Sequence, residues 1–410
     1  MTAAHPIARA WISTGGTGAQ NYDEFASDDE ITAVIAAHPR SALSVEMPHK
    51  SPDSLGQSFT EALPQAAERL QQAQEQHSYK PHEGVVAAYR ITTQDGTRSL
   101  GLFAMVDTGE ISTRADEPGR VIRNEDVFLA KVRQRVALIE TCDHLLSAVL
   151  LVQTENAAAL SELLAQTCAG SGQPDVVDRD GAGRLHEVWV VEDPTAVSRL
   201  CALAGAGELV VADGNHRSLA AQQAGLEQFM AVITTAADLS LLPYHRLLTS
   251  WPTDRPGIVE SLRASGAEVT AMEGPVTTPA RGGVVHVYTS GQGYAVRLAT
   301  VVGTRAEGDV EHRRAGGVAS MDHALVEQIL VRQILGWDPG DERISYVGGD
   351  YPASWLCTAV DEGRAAAAVL IAPVTVDDFV DVNVNREAMP RKSTWFVPKA
   401  RAGLVLADLR

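Results

Sequence analysis

Lysine is scarce in this chain. Of 34 basic residues only Lys50, Lys80, Lys131, Lys392 and Lys399 are lysines, and against 52 acidic residues the formal net charge is −18. A general nucleic-acid binder needs a basic surface, so no nucleic-acid partner is expected. A polybasic membrane attachment is excluded on the same ground. The acid surplus names no ligand, because it also serves to keep a protein soluble. Cysteine is limited to Cys142, Cys168, Cys201 and Cys357. Their spacing fits neither a C-x-x-C pair nor a zinc ribbon, and 410 residues can build a core without disulfides, so reduced thiols are expected. Aromatics are only 5%, which leaves Ala, Val and Leu to fill the core. The longest strongly apolar run, residues 365–374, reaches about half a membrane span. No basic region followed by an apolar stretch opens the chain, so no signal peptide is expected. These absences predict a soluble cytoplasmic protein with no membrane partner.

Several catalytic signatures are also missing. Gly15-Gly16-Thr17-Gly18 lacks the spacing of a P-loop, and no Gly-Lys-Ser/Thr occurs anywhere. His186-Glu187 has no second histidine at the zincin spacing, and His312 and His323 form no metal pattern. No Gly-x-Ser-x-Gly elbow supports a serine hydrolase.

What is present is an ordinary globular composition, 45% hydrophobic and 21% charged. The length suggests two or three domains, and three stretches can be distinguished. Residues 1–115 hold a helix expected over 58–76 and two strands, 84–93 and 98–106, around the hairpin signal Gln94-Asp95-Gly96. Residues 116–250 alternate helices (124–148, 157–167, 194–204, 217–224) with strands (148–153, 186–191, 208–212, 229–235). The last strand–turn–helix–strand reads as a compact β-α-β unit. Residues 251–410 mix strands with a helix over 322–335. The expected class is α/β, in a mixed α+β arrangement.

The strongest chemical signal is Val210 to Gly225. A buried strand ends at Asp213, Gly214 permits a sharp turn, and a helix opens near Arg217 or Ser218. A helix N-terminus beside an arginine suits an anion. Arg217 can fork two phosphate oxygens, His216 can donate to phosphate or relay a proton, and Asp213 can hold Mg²⁺ or a substrate hydroxyl. The plainer reading is a capped helix, with Asp213 or Asn215 as N-cap. A second candidate is Glu125-Asp126, either a general base or metal ligand, or simply favourable charge at a helix start. Residues 389–399 concentrate Lys392 and Lys399 beside Ser393 and Thr394, which suits a phosphate or carboxylate, or equally a basic loop. His245 and Arg246 lie between apolar residues, as at a packed strand end.

Together these elements resemble the DUF1015 family, over nearly the whole chain. The family's Ala-Asp-Gly-His-His-Arg is similar to Ala212–Arg217, with Asn215 at the first histidine. Its Pro-His-Glu is similar to Arg123-Asn124-Glu125, where only the glutamate survives; Arg135 and Ser147 fit the same block. Pro-Thr-His-Arg-Leu is similar to Pro243–Leu247, with Tyr244 for threonine. Met-Pro-Pro-Lys-Ser-Thr-Tyr-Phe-Tyr-Pro-Lys matches 389–399. Asn21-Tyr22-Asp23 stands where the family has Pro-Pro-Tyr-Asp.

The resemblance implies a ParB/sulfiredoxin-like core over 116–250, flanked by α/β segments 1–115 and 251–410 that pack on it. That group includes free-serine kinases, so a kinase making O-phosphoserine from serine and ATP or ADP is implied, with Mg²⁺ at Asp213. Glu125 would be the base, with Asp213 and His216 as its catalytic partners. Gly214, Asn215, His216, Arg217, Ser218 and Arg135 would hold the nucleotide phosphates. Tyr22, His245, Arg246, Lys392, Ser393, Thr394 and Lys399 would hold the amino acid. A homodimer is compatible with this. The alternatives are a nucleotide-binding module with reduced turnover, which the departures at Arg123, Asn124 and Asn215 leave open, and a nucleotidase with water as acceptor.

Overall fold

The computed structural model describes residues 2–112, 119–124, 127–298, 317–387 and 389–410. They form a mixed α/β protein that divides into two compact units. One is Met1–Ser240 with Pro398–Arg410, and the other is Leu241–Val397.

The first unit is organised on one sheet of thirteen strands among the described residues. Its central order is Leu209–Asp213, Val149–Gln153, Gln228–Thr235, Arg98–Asp107, Tyr79–Thr92, Ile7–Ser13 and Val405–Asp408. The hairpin expected at Gln94–Gly96 is present: Thr92 pairs with Arg98, and Asp95 accepts from the Thr97 N–H inside the turn. The helix expected over 58–76 begins later, at Leu63–Glu75. Pro64 stands in its first turn, where a missing N–H loses no helix bond. Pro194–Ala204 opens as expected, with the Asp193 carboxylate accepting from Ala196 N–H.

Central strands are apolar on both faces, as a sheet covered on both sides requires. Leu102, Ala104, Leu151, Val211, Phe229 and Ile233 pack with Leu160, Leu164 and Leu200 from two helices into one core. On a second core Leu138, Leu63 and Leu70 meet Leu406 from the C-terminal strand.

The β-α-β expectation is corrected. Leu209–Asp213 runs antiparallel to Val149–Gln153, which runs parallel to Gln228–Thr235. The two strands flanking the helix Asn215–Gln223 are therefore antiparallel, with an earlier strand inserted between them. Periodicity marks each strand but carries no information on its neighbour in the sheet.

The second unit carries an antiparallel sheet of six strands, ordered Glu268–Ala271, Gln292–Arg297, Val285–Thr289, Ala367–Leu370, Tyr244–Leu248 and Ile344–Gly348. The segment expected as a helix over 322–335 is one turn of α-helix, Asp322–Leu325, continued as a π-helix, Val326–Leu335. Val326, Leu330, Val331 and Leu335 face the core of this unit.

Candidate functional site

The site grows from the end of one strand in the first unit. Leu209–Asp213 is buried through Ala212, and its register against Val149–Gln153 shifts between Val211 and Asp213. Such a bulge bends the strand where pairing stops. Gly214 follows at φ +95°, where a Cβ would lie 3.1 Å from Arg217 Nε and 3.2 Å from Val149 Cα. Both the backbone conformation and the lack of space require glycine. Gly214 is the N-cap of Asn215–Gln223, and among the described residues no side chain caps that helix. Neither Asp213 nor Asn215 serves as the cap, so the plainer reading of this turn does not hold.

Asp213 is instead shared by two cations. Its Oδ2 accepts from Arg217 Nη2, and its Oδ1 accepts from Lys399 Nζ at 2.9 Å. The three side chains are no more than 14% exposed. Two positive groups flank this one carboxylate at the positive end of a helix dipole, in a chain of net charge −18. Burial opposes the Arg217 charge, but Asp213, Asp23, Tyr22 and Glu46 raise its pKa above the ordinary value.

The rest of the site is tied to Arg217. Its Nη1 donates to the Ala148 carbonyl and, at 3.3 Å, to Asn21 Oδ1. Asn21 in turn donates from its backbone N–H and its Nδ2 to Glu24 Oε1, at 3.0 and 2.7 Å. Burial pushes the Glu24 carboxyl up to about 7; Lys399 opposes this, and Asp213 and Asp23 add to it. Asn21 Nδ2 also donates to the Ala400 carbonyl, which fixes the segment next to Lys399.

A second cluster adjoins the first. Arg135, from the helix Leu129–Cys142, lies 4.2 Å over the Tyr22 ring and donates to the Glu46 carbonyl at 3.0 Å. Ser147 donates to Glu46 Oε1. Burial raises the Glu46 pKa, with Arg135 opposing. Burial likewise pushes the Tyr22 hydroxyl up to about 12. Glu46, Arg135, Ser147 and Arg217 share a cavity of about 40 Å³. Among the described residues Glu46 Oε2 and Arg135 Nη1 are buried without a hydrogen-bond partner, and a cavity of this size has room for ordered water.

The remaining residues of the turn have specific partners. Asn215 Nδ2 donates to Asn124 Oδ1 at 2.6 Å, and both residues are buried. His216 Nε2 accepts from the Phe128 N–H at 2.9 Å, and the two rings stack at 5.8 Å. An accepting Nε2 places the neutral imidazole's proton on Nδ1. Ser218 donates its hydroxyl to the Asn215 carbonyl.

The structure thus brings together Tyr22, Arg135, Asp213, Gly214, Asn215, His216, Arg217, Ser218 and Lys399 within one unit. Glu125, the expected base, lies outside the described residues. His245, Arg246, Lys392, Ser393 and Thr394 lie in the other unit. His245 is fully buried there and accepts from the Ile371 N–H through Nδ1. Arg246 donates to the carbonyls of Tyr244, Arg391 and Lys392. The run 389–399 therefore belongs to two units, with Lys399 alone of its candidates in the first.

Glu24 and Glu46 were not singled out from sequence. For Glu24 a signal existed: Asn21 and Glu24 have the spacing of a capping box. Glu46 sits in an unremarkable run of mixed polarity, and only the fold places it beside Arg135.

Comparison with solved structures finds distant likenesses. A free serine kinase, E30Q mutant, in complex with AMP is 11% identical, with a TM-score of 0.39, covering 72% of this chain and 87% of that one. A conserved hypothetical protein from Pyrococcus furiosus is 12% identical at TM-score 0.39, covering 74% and 95%. SbnI with a C-terminal truncation from Staphylococcus aureus is 12% identical at TM-score 0.37, covering 74% and 87%. No curated protein matches the chain. Residues 17–324 match the family described as "Protein of unknown function (DUF1015)", and the chain belongs to that family.

Proposed function

We propose that this protein is a small-molecule kinase that transfers a phosphoryl group from ATP or ADP to the hydroxyl of a free amino acid, serine first, giving O-phosphoserine. The observation that carries the reading is the Arg217–Asp213–Lys399 arrangement at the uncapped start of a helix. The same two cations can exchange a carboxylate for phosphate oxygens. Arg217 offers a planar fork and Lys399 a point charge, the two geometries suited to a terminal phosphate. Phosphoryl transfer relies on positioning and charge stabilisation, so such a cradle needs no covalent intermediate.

Asp213 was also the expected magnesium ligand. Both of its oxygens are engaged by cations. Among the described residues no group of three or more His, Cys, Asp or Glu could hold a metal ion. With both oxygens paired to cations, Asp213 and the described groups around it do not fit a resident Mg²⁺.

A second reading, a nucleotide-binding module with reduced turnover, is favoured by the Asn124–Asn215 contact. These are two of the positions where the chain departs from the family pattern, and they hold each other. The two readings part in ³¹P NMR of the protein with Mg-ATP or Mg-ADP and free hydroxy amino acids. The kinase predicts a new phosphomonoester resonance that requires both acceptor and protein and is lost in Arg217→Met. Nucleotide binding with no new resonance from any acceptor would refute the kinase in favour of the module.

A further inference from the structure

The second unit holds a separate cavity of about 410 Å³, within the size range of small-molecule sites. Its wall includes the start of Asp322–Leu325 and much of the run 372–387, which contains the helix Val376–Val384. The ionisable side chains on it are Asp322, His323, Asp378, Asp381 and Glu387, and among the described residues no lysine or arginine lines it. Asp378, Asp381 and Asn385 lie three and four positions apart, on one face of that helix and its end. Glu387 reaches the cavity at Gly317, where its Oε2 lies 3.3 Å from the place a Cβ would take. His323 is the buried member, 2% exposed, and its Nε2 has no hydrogen-bond partner among the described residues. The ring is bonded to the Tyr244 backbone in a contact that favours its charged form, so the ring donates there. With Nε2 unpartnered, that donor is Nδ1. Burial, then Arg246 and His245, nevertheless hold the ring neutral, and Nε2 carries a lone pair. A buried acceptor left unmet is costly, and a ligand's N–H would meet it.

We propose that this cavity binds a small organic ammonium ion, with one N–H donated to His323 Nε2 and the positive charge set against Asp378, Asp381 and Glu387. These three carboxylates are paired to no cation among the described residues. Asp322 is different: both of its oxygens accept from the Gly283 N–H, at 2.9 and 2.8 Å, so it shapes the wall. A bare metal ion is a poorer occupant, because among the described residues no group of three or more His, Cys, Asp or Glu could hold one. The acids are spread along the wall and do not converge on a point, which suits an extended molecule that brings its own N–H groups. The site lies wholly within the second unit and does not rest on the kinase reading.

The test is calorimetric titration of the full-length protein with 1,4-diaminobutane and with spermidine. The controls are tetramethylammonium, which carries charge but no N–H, and Mn²⁺. Saturable binding of one amine per chain is expected for at least one of the two, with tetramethylammonium weaker by about tenfold or more. Asp381→Asn combined with Glu387→Gln alters only exposed side chains. It should weaken the amine by about tenfold or more and leave the Tm unchanged. His323→Asn keeps a donor for the Tyr244 backbone near the place of Nδ1 and removes Nε2, and should weaken the amine to a similar degree. In wild-type protein labelled with ¹⁵N-histidine the His323 Nε2 resonance should move when the amine is added, a readout that needs no variant to fold. No saturable binding of either amine, equal binding of tetramethylammonium, an unchanged affinity in the carboxylate variant or an Nε2 resonance that stays in place would each overturn the proposal. Mn²⁺ that binds more tightly and displaces the amine would overturn it in favour of a metal site. Phosphoryl transfer is read separately by ³¹P NMR, so failure here leaves the kinase reading untouched.

Discussion

Replacing Asp213 by Asn tests the cradle directly. The substitution keeps the side-chain shape but removes the negative charge between Arg217 and Lys399. Removing one partner of a buried ion pair costs about 3 to 5 kcal/mol, because the other charge stays buried and unpaired. Asp213 is 14% exposed on its side chain, so some solvent reaches it and about 3 kcal/mol is expected. For a unit of this size that is a fall in Tm of about 6 to 12 °C. A second charge effect has the opposite sign. In the wild type a phosphate must displace Asp213 from the two cations; in Asp213→Asn it meets them without that carboxylate. A ligand at 100 times its Kd adds about 2.7 kcal/mol of stability. Inorganic phosphate or ADP should therefore raise the Tm of the variant more than that of the wild type and recover much of the loss. Thermal and urea unfolding with and without phosphate read both effects. A variant as stable as the wild type, or one that phosphate stabilises no more than the wild type, would refute the reasoning.

Two further outcomes follow from the same geometry. Glu24 binds its proton more tightly folded than unfolded, so its contribution to stability is full below the ordinary carboxylate pKa and is lost as pH rises through about 7. Glu24→Gln removes that dependence. Relative to wild type it should gain up to about 3 kcal/mol between about pH 4.5 and 7.5, since each tenfold gain in proton affinity on folding is about 1.4 kcal/mol. Urea unfolding at each pH measures this, and a difference that stays flat would contradict the burial argument. Asn124→Ala and Asn215→Ala, alone and combined, should show a coupling of about 0.5 to 3 kcal/mol in stability, and strict additivity would mean that the amide contact contributes nothing.

Local elements were largely legible in the sequence. The Asp-Gly hairpin, the Asp193-Pro194 helix start and the Asp213-Gly214 turn each carry their own stereochemistry: a left-handed residue, a proline in a first turn, a short polar cap. The Asp213–Arg217 ion pair is equally local, since four positions around the turn bring the two side chains together. What the chain could not announce was partnership across distance. Lys399 is 186 positions from the carboxylate it meets, and Asn21 is 196 from the guanidinium it accepts from. The strand Val149–Gln153, inserted beside Leu209–Asp213, turned an expected parallel crossover into an antiparallel neighbour. Likewise 389–399 reads as one basic element, yet only Lys399 belongs to the unit that holds the cradle.

The sequence by itself determined where the backbone must turn and which side chains carry charge, because φ preferences, caps and periodicity act over a few residues. Only the tertiary structure decided which charges are buried together. That decision made Asp213 the centre of an ion-paired cradle and turned Glu24, an unexceptional surface-type residue in sequence, into a buried carboxyl that titrates near neutrality. Desolvation and Coulomb energy depend on three-dimensional neighbours, and those neighbours are drawn from both ends of the chain.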